Sequence, residues 1–297
     1  MPSFRSDTNQ ILHKARQKIK RGKSKHGLSK EDRNFIASNA TAEKYIGNVK
    51  RLAVWLRSQR LTIEDANQEL VTAYLEENST KWVQKTMDGY TKAIQMICEI
   101  DAPKILSRKL TVTKYPAYSV EQALYLSRTA NPQLSLAIRL ALCSGLRAHE
   151  LDTIGRLEDL NESERRWDPN RFVGRESYKT YVVHGKGGLR RTVKLTAELA
   201  SELEAFRLAA PMKKRQRKID YVKYYDILGG QAFSQSFCRH SKKMFGWSSG
   251  AHGLRHRFAK ERIFELIKLG YAYEQALKIL SQELGHFAIK NTKAYLR

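Results

Sequence analysis

The sequence predicts a mainly α-helical protein of two domains with a small β-hairpin in the second domain, an α+β fold class. Three observations lead to this prediction. Apolar residues recur mostly at helical spacing, two short strand-like segments flank one glycine-rich turn, and prolines interrupt the helical pattern between residues 103 and 117. A chain of 297 residues is also long enough for two ordinary domains.

The first 38 residues are too rich in lysine and arginine to pack a core by themselves. We therefore expect residues 1–38 to form a basic arm that is mobile or is ordered by DNA. A helical domain is predicted for residues 39–102. Its first helix has a plausible N-cap at Thr41, and the basic face that we expect to contact DNA consists of Lys44, Lys50, Arg51 and Arg57.

Two further helices are predicted in this domain, over Asn67–Glu76 and Lys81–Ile100. Residues 103–117 lack helical periodicity, which suits an extended linker. The second domain, residues 118–297, begins with the capping-box sequence Ser119-Val-Glu-Gln122 and a nearly all-apolar helix, Leu134–Ser144.

The predicted hairpin of the second domain pairs the strands Tyr181–His184 and Thr192–Leu195 around a glycine-rich turn. Helices are predicted after it over Thr196–Leu208, Leu254–Leu269 and Tyr273–Glu283. The basic stretch 212–249 gives no clear pattern. An insertion that contacts the DNA backbone through Lys213, Lys214 and Arg215 is one interpretation, and a solvated loop is the other.

The charge of the chain indicates its class of partner. Lysine and arginine total 54 against 30 acidic residues, a formal charge of +24, which favours nucleic acid. No apolar run approaches the roughly 18 residues of a membrane span, and the N-terminus is unlike a signal peptide, so we expect a cytoplasmic protein without a membrane partner. Three isolated cysteines indicate neither a zinc site nor a disulfide framework.

Five short segments of the second domain carry chemically useful residues. They are Ser144-Gly-Leu-Arg147-Ala-His-Glu150-Leu, Gly185-Lys186-Gly, His252-Gly-Leu-Arg255-His256, Leu284-Gly-His286 and Asn291-Thr-Lys-Ala-Tyr295. Each has an ordinary structural explanation when it is taken alone. Arg147 suits a surface ion pair, Lys186 a soluble turn, and Tyr295 a terminal aromatic.

Together, these segments resemble the tyrosine recombinase (phage integrase) family, whose catalytic domain has Arg, a hairpin Lys, His-x-x-Arg, Gly-His and Tyr in this order. Tyr295 follows His286 by nine residues, as is usual in the family. The resemblance covers about residues 118–297 and, more loosely, residues 39–101, which are similar to the family's core-binding domain. It implies a two-domain clamp on double-stranded DNA and a tetramer of protomers at specific recombination sites, with a monomer or weak oligomer off DNA.

The residue types fit phosphodiester cleavage on chemical grounds as well. Forming a tyrosine phenolate near pH 7 costs about 4 kcal/mol, so the site must offset this cost. Arg147 and Arg255 can bind the non-bridging oxygens of a phosphate through paired hydrogen bonds. The resemblance implies that Tyr295 is the nucleophile, that His252 accepts its proton or holds the geometry, and that His286 hydrogen-bonds the phosphate.

The resemblance also assigns Lys186 to protonation of the leaving 5′ oxygen, with a 3′-phosphotyrosyl intermediate that keeps the bond energy. No cofactor, metal or ATP is then required. We assign supporting roles to Glu150 and His256. For Glu150 the family's Arg-x-x-Glu pattern suggests orientation of Arg147, whereas an ordinary surface glutamate is the alternative. Arg190 and Arg191 of the hairpin are further candidates for DNA contact.

The end of the chain departs from the family pattern, because only two residues follow Tyr295. We therefore expect protomers to be linked by another surface, by a donated Tyr295 segment, or by residues beyond Arg297. A type IB topoisomerase uses a similar residue set, and a non-catalytic DNA-binding accessory protein is a third possibility. The segment from Leu284-Gly-His286 to Tyr295 and the helical domain before residue 101 resemble the recombinases more than the topoisomerases, and the intact residue set argues against a non-catalytic protein. Family breadth favours integration or excision of a mobile element.

Overall fold

The computed structural model describes residues 4–20, 22–23, 27–29, 31–110, 117–216 and 219–296, apart from the side chains of Lys186 and Gln216. The chain divides into two compact units, Met1–Thr113 and Lys114–Arg297. The division falls inside the segment predicted as a linker.

The described part of the first unit is helical. Its elements are α1 (Phe4–Lys18), α2 (Asn39–Ser58), a short 3₁₀ turn (Ile63–Asp65), α3 (Gln68–Glu77) and α4 (Gln84–Ile97). Apolar side chains at helical spacing, such as Leu52, Leu56 and Ile94, are fully buried in its core. Helix α2 begins earlier than expected, because the hydroxyl of Ser38, rather than Thr41, caps it by accepting from the Thr41 amide.

The N-terminal segment is not an unstructured arm over residues 4–18, where the structure corrects the prediction. Helix α1 packs on the first unit through Ile11 and Ala15, which are both buried. Asp7 is buried as well, and it accepts from Arg57 Nε at 2.6 Å and from the backbone amide of Ile63 at 3.3 Å. The few apolar residues among many basic ones hid this helix, since only a narrow stripe contacts the core.

The second unit combines helices with two antiparallel hairpins. Its elements are α5 (Val120–Arg128), α6 (Pro132–Ser144), α7 (Ala148–Asp152), β1 (Lys179–His184), β2 (Arg190–Leu195), α8 (Ala197–Glu204), β3 (Arg207–Gln216), β4 (Ile219–Tyr225), α9 (Gly230–Phe245), α10 (His252–Lys268), α11 (Tyr273–Glu283) and α12 (Ile289–Lys293). The predicted capping box at Ser119, the buried helix α6, the first hairpin and α11 are confirmed.

The second hairpin, β3–β4, lies in the stretch that the sequence pattern left unassigned. It pairs Lys213 with Val222, Lys214 with Tyr221 and Arg215 with Asp220. The preceding helix also ends at Glu204, earlier than predicted. Charged residues on both faces of this ribbon conceal the alternation that normally reveals a strand.

Two apolar clusters build the second unit. One surrounds α6, whose Leu136, Ala137 and Leu140 are fully buried. The other lies between α10 and α11 and includes Tyr295. The predicted nucleophile is thus anchored in an apolar cluster of its own unit.

Candidate active site

Arg147 is placed by the turn that ends α6. Gly145 has φ +59°, a left-handed conformation that terminates the helix, and a Cβ there would come within 2.4 Å of the Phe258 ring. Only glycine therefore fits at this position. The chain turns at once, and Arg147 becomes the residue that precedes the first turn of α7.

Glu150 lies at the centre of three guanidinium groups and has no exposed surface. Its carboxylate accepts from Arg147 Nη1 at 2.7 Å and from Arg191 Nη2 at 2.8 Å, and it lies 3.6 Å from Arg255 Nη1. Burial alone would raise the pKa of Glu150, but the charges of Arg191, Arg255 and Arg147 outweigh it and hold the pKa well below its usual value. The alternative of a surface glutamate is wrong.

Arg255 is also fully buried, on the first turns of α10. Its guanidinium donates to the carbonyl oxygens of Gly145 and Leu284 and therefore joins the end of α6 to the turn before His286. Burial lowers the pKa of Arg255, while Glu150 opposes this shift. The group stays charged at neutral pH because the ordinary pKa of an arginine lies far above 7.

His286 lies between a guanidinium and a hydroxyl. Its Nε2 is 2.9 Å from Arg147 Nη2, and its Nδ1 is 3.2 Å from the hydroxyl of Thr292, which is buried. A guanidinium only donates, so Nε2 accepts here and Nδ1 carries the proton. Burial, together with the charges of Arg255 and Arg147, lowers the pKa of His286 to about 3, which keeps the ring neutral at pH 7.

The ring of Tyr295 lies among three of the four histidines of the motif segments. Its centroid is 4.7 Å from the ring of His256, 5.3 Å from that of His252 and 5.4 Å from that of His286, and the Arg255 guanidinium lies 5.4 Å away. His256 Nδ1 is 3.2 Å from the Tyr295 carbonyl, which fixes the backbone of the tyrosine. Partial burial and Arg255 lower the pKa of His252.

The turn between β1 and β2 closes one side of the cluster. A Cβ on Gly185 would come within 2.9 Å of Glu150 Oε1, so glycine permits this approach. Lys186 follows directly and its backbone belongs to this turn, whereas its side chain lies outside the described part of the chain. One site therefore brings together residues that are up to 148 positions apart in the sequence: Arg147, His252, Arg255, His286 and Tyr295.

The candidate DNA contacts fall into two groups. Lys44, Arg51, Lys213 and Arg215 are exposed, and Lys50 and Arg190 are half-buried. Arg57 and Lys214 form ion pairs with the buried Asp7 and Asp152 respectively, whereas the exposed Arg215 lies 3.8 Å from Asp220, which is exposed as well. Arg191 contradicts the prediction of a DNA contact, because its side chain is 1% exposed and both of its terminal nitrogens donate to protein oxygens.

Sequence reasoning missed the partners of two site residues. The alternation of β2, whose inward positions are Arg191, Val193 and Leu195, would have placed Arg191 on the buried face. Thr292 precedes Tyr295 by three residues in the motif, but its bond to His286 depends on the α12 turn and has no signal of its own. The hairpin β3–β4, which packs Tyr221 within 4.4 Å of the His149 ring on α7, was also missed.

The fold matches solved DNA recombinases. XerH site-specific recombinase bound to palindromic difH substrate aligns with TM-score 0.59 and 14% identity, over 98% of this chain and 90% of that one. The Tn1549 transposon integrase in complex with transposon right end DNA aligns with TM-score 0.53 and 15% identity, over 98% and 94%. A lambda integrase tetramer bound to a Holliday junction aligns with TM-score 0.55 and 14% identity, over 97% and 76%.

These structures share the tyrosine recombinase fold, and at this identity the likeness confirms the predicted fold of the chain. No protein-family model matches the sequence, and neither does any curated protein. Within the described ranges, no group of three or more His, Cys, Asp and Glu side chains has a geometry that could hold a metal ion. The helices described are all too short or too polar to cross a bilayer.

Proposed function

We propose that the chain is a site-specific tyrosine recombinase that cleaves and rejoins duplex DNA through a 3′-phosphotyrosyl bond to Tyr295. The observation that carries this proposal is the position of Tyr295, a residue that is 9% exposed and whose ring lies among His252, His256, His286 and Arg255. A protein that only binds DNA has no need for a tyrosine surrounded by cationic and imidazole groups.

In the proposed reaction, Arg147 and Arg255 bind the non-bridging oxygens of the phosphate at the cleavage site. The Tyr295 hydroxyl oxygen forms a bond to phosphorus as the bond to the 5′ oxygen breaks. The tyrosine proton passes to the neutral ring of His252, and Lys186 protonates the leaving 5′ oxygen. Attack by a 5′-hydroxyl reverses these steps, so the phosphotyrosyl bond conserves the energy and neither metal nor ATP is needed.

The structure suggests how His286 enters this cycle. Without a phosphate, its Nε2 accepts from Arg147. A bound phosphate would take the Arg147 donor for itself, and His286 Nε2 could then donate to the phosphate once the proton moves from Nδ1. The Thr292 hydroxyl supports both forms, because it can accept from Nδ1 or donate to it.

The role that we propose is integration or excision of a mobile genetic element, with several protomers assembled on specific double-stranded DNA sites. The likeness to a transposon integrase on transposon end DNA and to a lambda integrase tetramer on a Holliday junction supports this choice. The formal charge of +24 supports tight, salt-dependent contact with the DNA backbone.

The test is a suicide-substrate assay with nicked duplexes tiled across the DNA that flanks the gene for this protein. The protein is incubated with them in EDTA and without ATP, and covalent adducts are resolved on a denaturing gel. We expect an adduct that Tyr295→Phe abolishes while DNA binding is retained. Specific binding of one duplex without any adduct would contradict the proposal and favour a non-catalytic DNA-binding protein.

A further inference from the structure

Arg191 bridges two parts of the proposed active site without reaching its surface. It lies on β2 with a side chain that is 1% exposed. Its Nη2 donates to Glu150 Oε2 at 2.8 Å, and its Nη1 donates to the carbonyl oxygen of Glu283 at 2.6 Å. Glu150 lies on α7 and binds Arg147, and Glu283 is the last residue of α11, the helix before His286. The Arg191 guanidinium therefore joins the segment of Arg147 to the segment of His286.

The charge balance gives Arg191 a specific task. Glu150 is a fully buried carboxylate that three guanidiniums surround. Two of them, Arg147 and Arg255, are needed for the phosphate in the proposed reaction. Without Arg191, only these two would neutralise Glu150, and Arg255 at 3.6 Å would be drawn toward it. Arg191 therefore supplies the charge that leaves the other two available to the phosphate.

Gly285 shows how closely the His286 turn packs on Arg191. A Cβ on Gly285 would come within 2.9 Å of Arg191 Cδ and 3.3 Å of Leu189 Cδ2, and the backbone φ of Gly285 is +69°. The glycine before His286 thus allows the turn to rest directly on the arginine side chain. The amide of His286 donates to the Ser281 carbonyl at 2.7 Å, which completes the turn.

We propose that Arg191 is a positioning residue for strand cleavage, which holds Glu150, and through it Arg147, at a fixed distance from His286. This inference rests on the proposed recombinase function. It differs from a DNA-contact role, since the terminal nitrogens of Arg191 donate to Glu150 and to the Glu283 carbonyl, whereas the Arg255 guanidinium lies 5.4 Å from the Tyr295 ring, where the phosphate would bind. It also differs from a purely structural role, since its effect on the reaction must pass through Glu150.

The experiment compares Arg191→Met with Arg175→Met. Arg175 is the matched control, because it also binds one carboxylate, Glu265, and one carbonyl, that of Cys143, neither of which belongs to the proposed catalytic residues. The rate of adduct formation is measured at saturating nicked duplex, together with DNA affinity and melting temperature. We expect Arg191→Met to slow adduct formation at least about tenfold with DNA affinity unchanged, and Arg175→Met to slow it less than about threefold.

A double-mutant cycle with Glu150→Gln tests whether Arg191 affects adduct formation through its contact with Glu150. If Arg191 acts through Glu150, the Arg191→Met substitution slows adduct formation much less in the Glu150→Gln background than in the wild type. Equal slowing in both backgrounds would overturn the inference. If Arg191→Met does not fold, Arg191→Lys replaces it, because lysine keeps the charge but loses the fork that joins both oxygens, and the same cycle applies.

The two proposals fail in different ways. An adduct with the wild-type protein and an equally fast adduct with Arg191→Met would overturn the positioning role and leave the recombinase function standing. Absence of an adduct from the wild-type protein, with specific DNA binding, would overturn the recombinase function and this inference with it.

Discussion

Removal of the Thr292 hydroxyl tests the proposed proton shift on His286. Thr292→Val keeps the shape of the side chain but cannot exchange hydrogen bonds with Nδ1, so this nitrogen loses its partner in both tautomers of the ring. We expect adduct formation to slow by about tenfold, on the order of one buried hydrogen bond, with little change in DNA affinity. Thr292→Ser is the matched control and should cleave nearly as fast as the wild type.

The measurement is the single-turnover rate of adduct formation at saturating nicked duplex. Valine and serine variants that react equally fast would show that the hydroxyl takes no part. Equal slowing of both would indicate instead that the methyl group packs the His286 turn.

His286 also makes the stability of the protein depend on pH in a predictable direction. Burial, Arg255 and Arg147 lower its folded pKa to about 3, against about 6.5 in an unfolded chain. Between these values the unfolded state binds more protons, so the stabilising contribution is complete above about pH 6.5 and is lost as the pH falls toward 3. The slope for one such group is at most about 1.4 kcal/mol per pH unit.

Urea unfolding at pH 7 and pH 5 measures this effect, with His286→Gln as the comparison. We expect the wild-type protein to lose more stability than the variant over this interval. An equal loss would mean that His286 titrates normally in the folded protein, and that the Arg147 contact does not hold it neutral.

At the scale of elements, the hairpin β3–β4 separates two kinds of basic residue by strand alternation. Lys214 faces α7, where it forms a 2.6 Å ion pair with the buried Asp152, and Tyr221 beside it packs on the His149 ring. Lys213 and Arg215 project from the opposite face and are exposed. Substitutions at adjacent residues of this strand should therefore have different effects, on DNA binding for the exposed residues and on stability for Lys214.

The double substitution Lys213→Glu and Arg215→Glu should weaken binding to duplex DNA and reduce the salt slope by about 2, since each phosphate contact contributes about 0.9. Its melting temperature should fall only slightly, because the Arg215–Asp220 ion pair that is lost joins two exposed side chains 3.8 Å apart. The matched control Lys214→Met should instead lower stability by about 1–3 kcal/mol, because it leaves Asp152 buried without its cation, and should not change the salt slope. Titrations at several salt concentrations and thermal melts check both.

A charge reversal that changed neither affinity nor its salt slope would show that the hairpin face is only solvated. The hairpin would then serve to hold α7, the helix that carries Glu150. The sequence alone did not distinguish these roles, because a run of basic residues shows charge but not which side chains point inward.

At the scale of the whole molecule, the sequence predicted what depends on local patterns and motif order. Helices α6 and α11, the first hairpin, the Ser119 capping box and the meeting of Arg147, Arg255, His286 and Tyr295 were all expected. What it missed depends on contacts between distant segments. Helix α1 is held to the rest of its unit by the hydrogen bond from Arg57 to the buried Asp7. Arg191 is held in the interior by Glu150 and the Glu283 carbonyl. Neither contact produces a local pattern in the sequence.

The boundary between the two units, at residues 113 and 114, separates the proposed catalytic residues from some of the proposed DNA-binding residues. All the proposed catalytic residues lie in the second unit, whereas Lys44, Lys50 and Arg51 lie in the first. We expect a fragment of residues 114–297 to fold on its own apolar clusters and to form the Tyr295 adduct when DNA is saturating. Its affinity for duplex should be much lower and its salt slope shallower, because fewer phosphates are contacted.

Circular dichroism and a thermal melt first establish that the fragment is folded. Adduct formation is then followed as a function of DNA concentration for the fragment and the full chain. If the maximal rate is similar and only the half-saturating concentration rises, the first unit serves to bind DNA. If a folded fragment forms no adduct at any DNA concentration, the first unit is required to arrange the site for cleavage, and the chemistry belongs to the two units acting together.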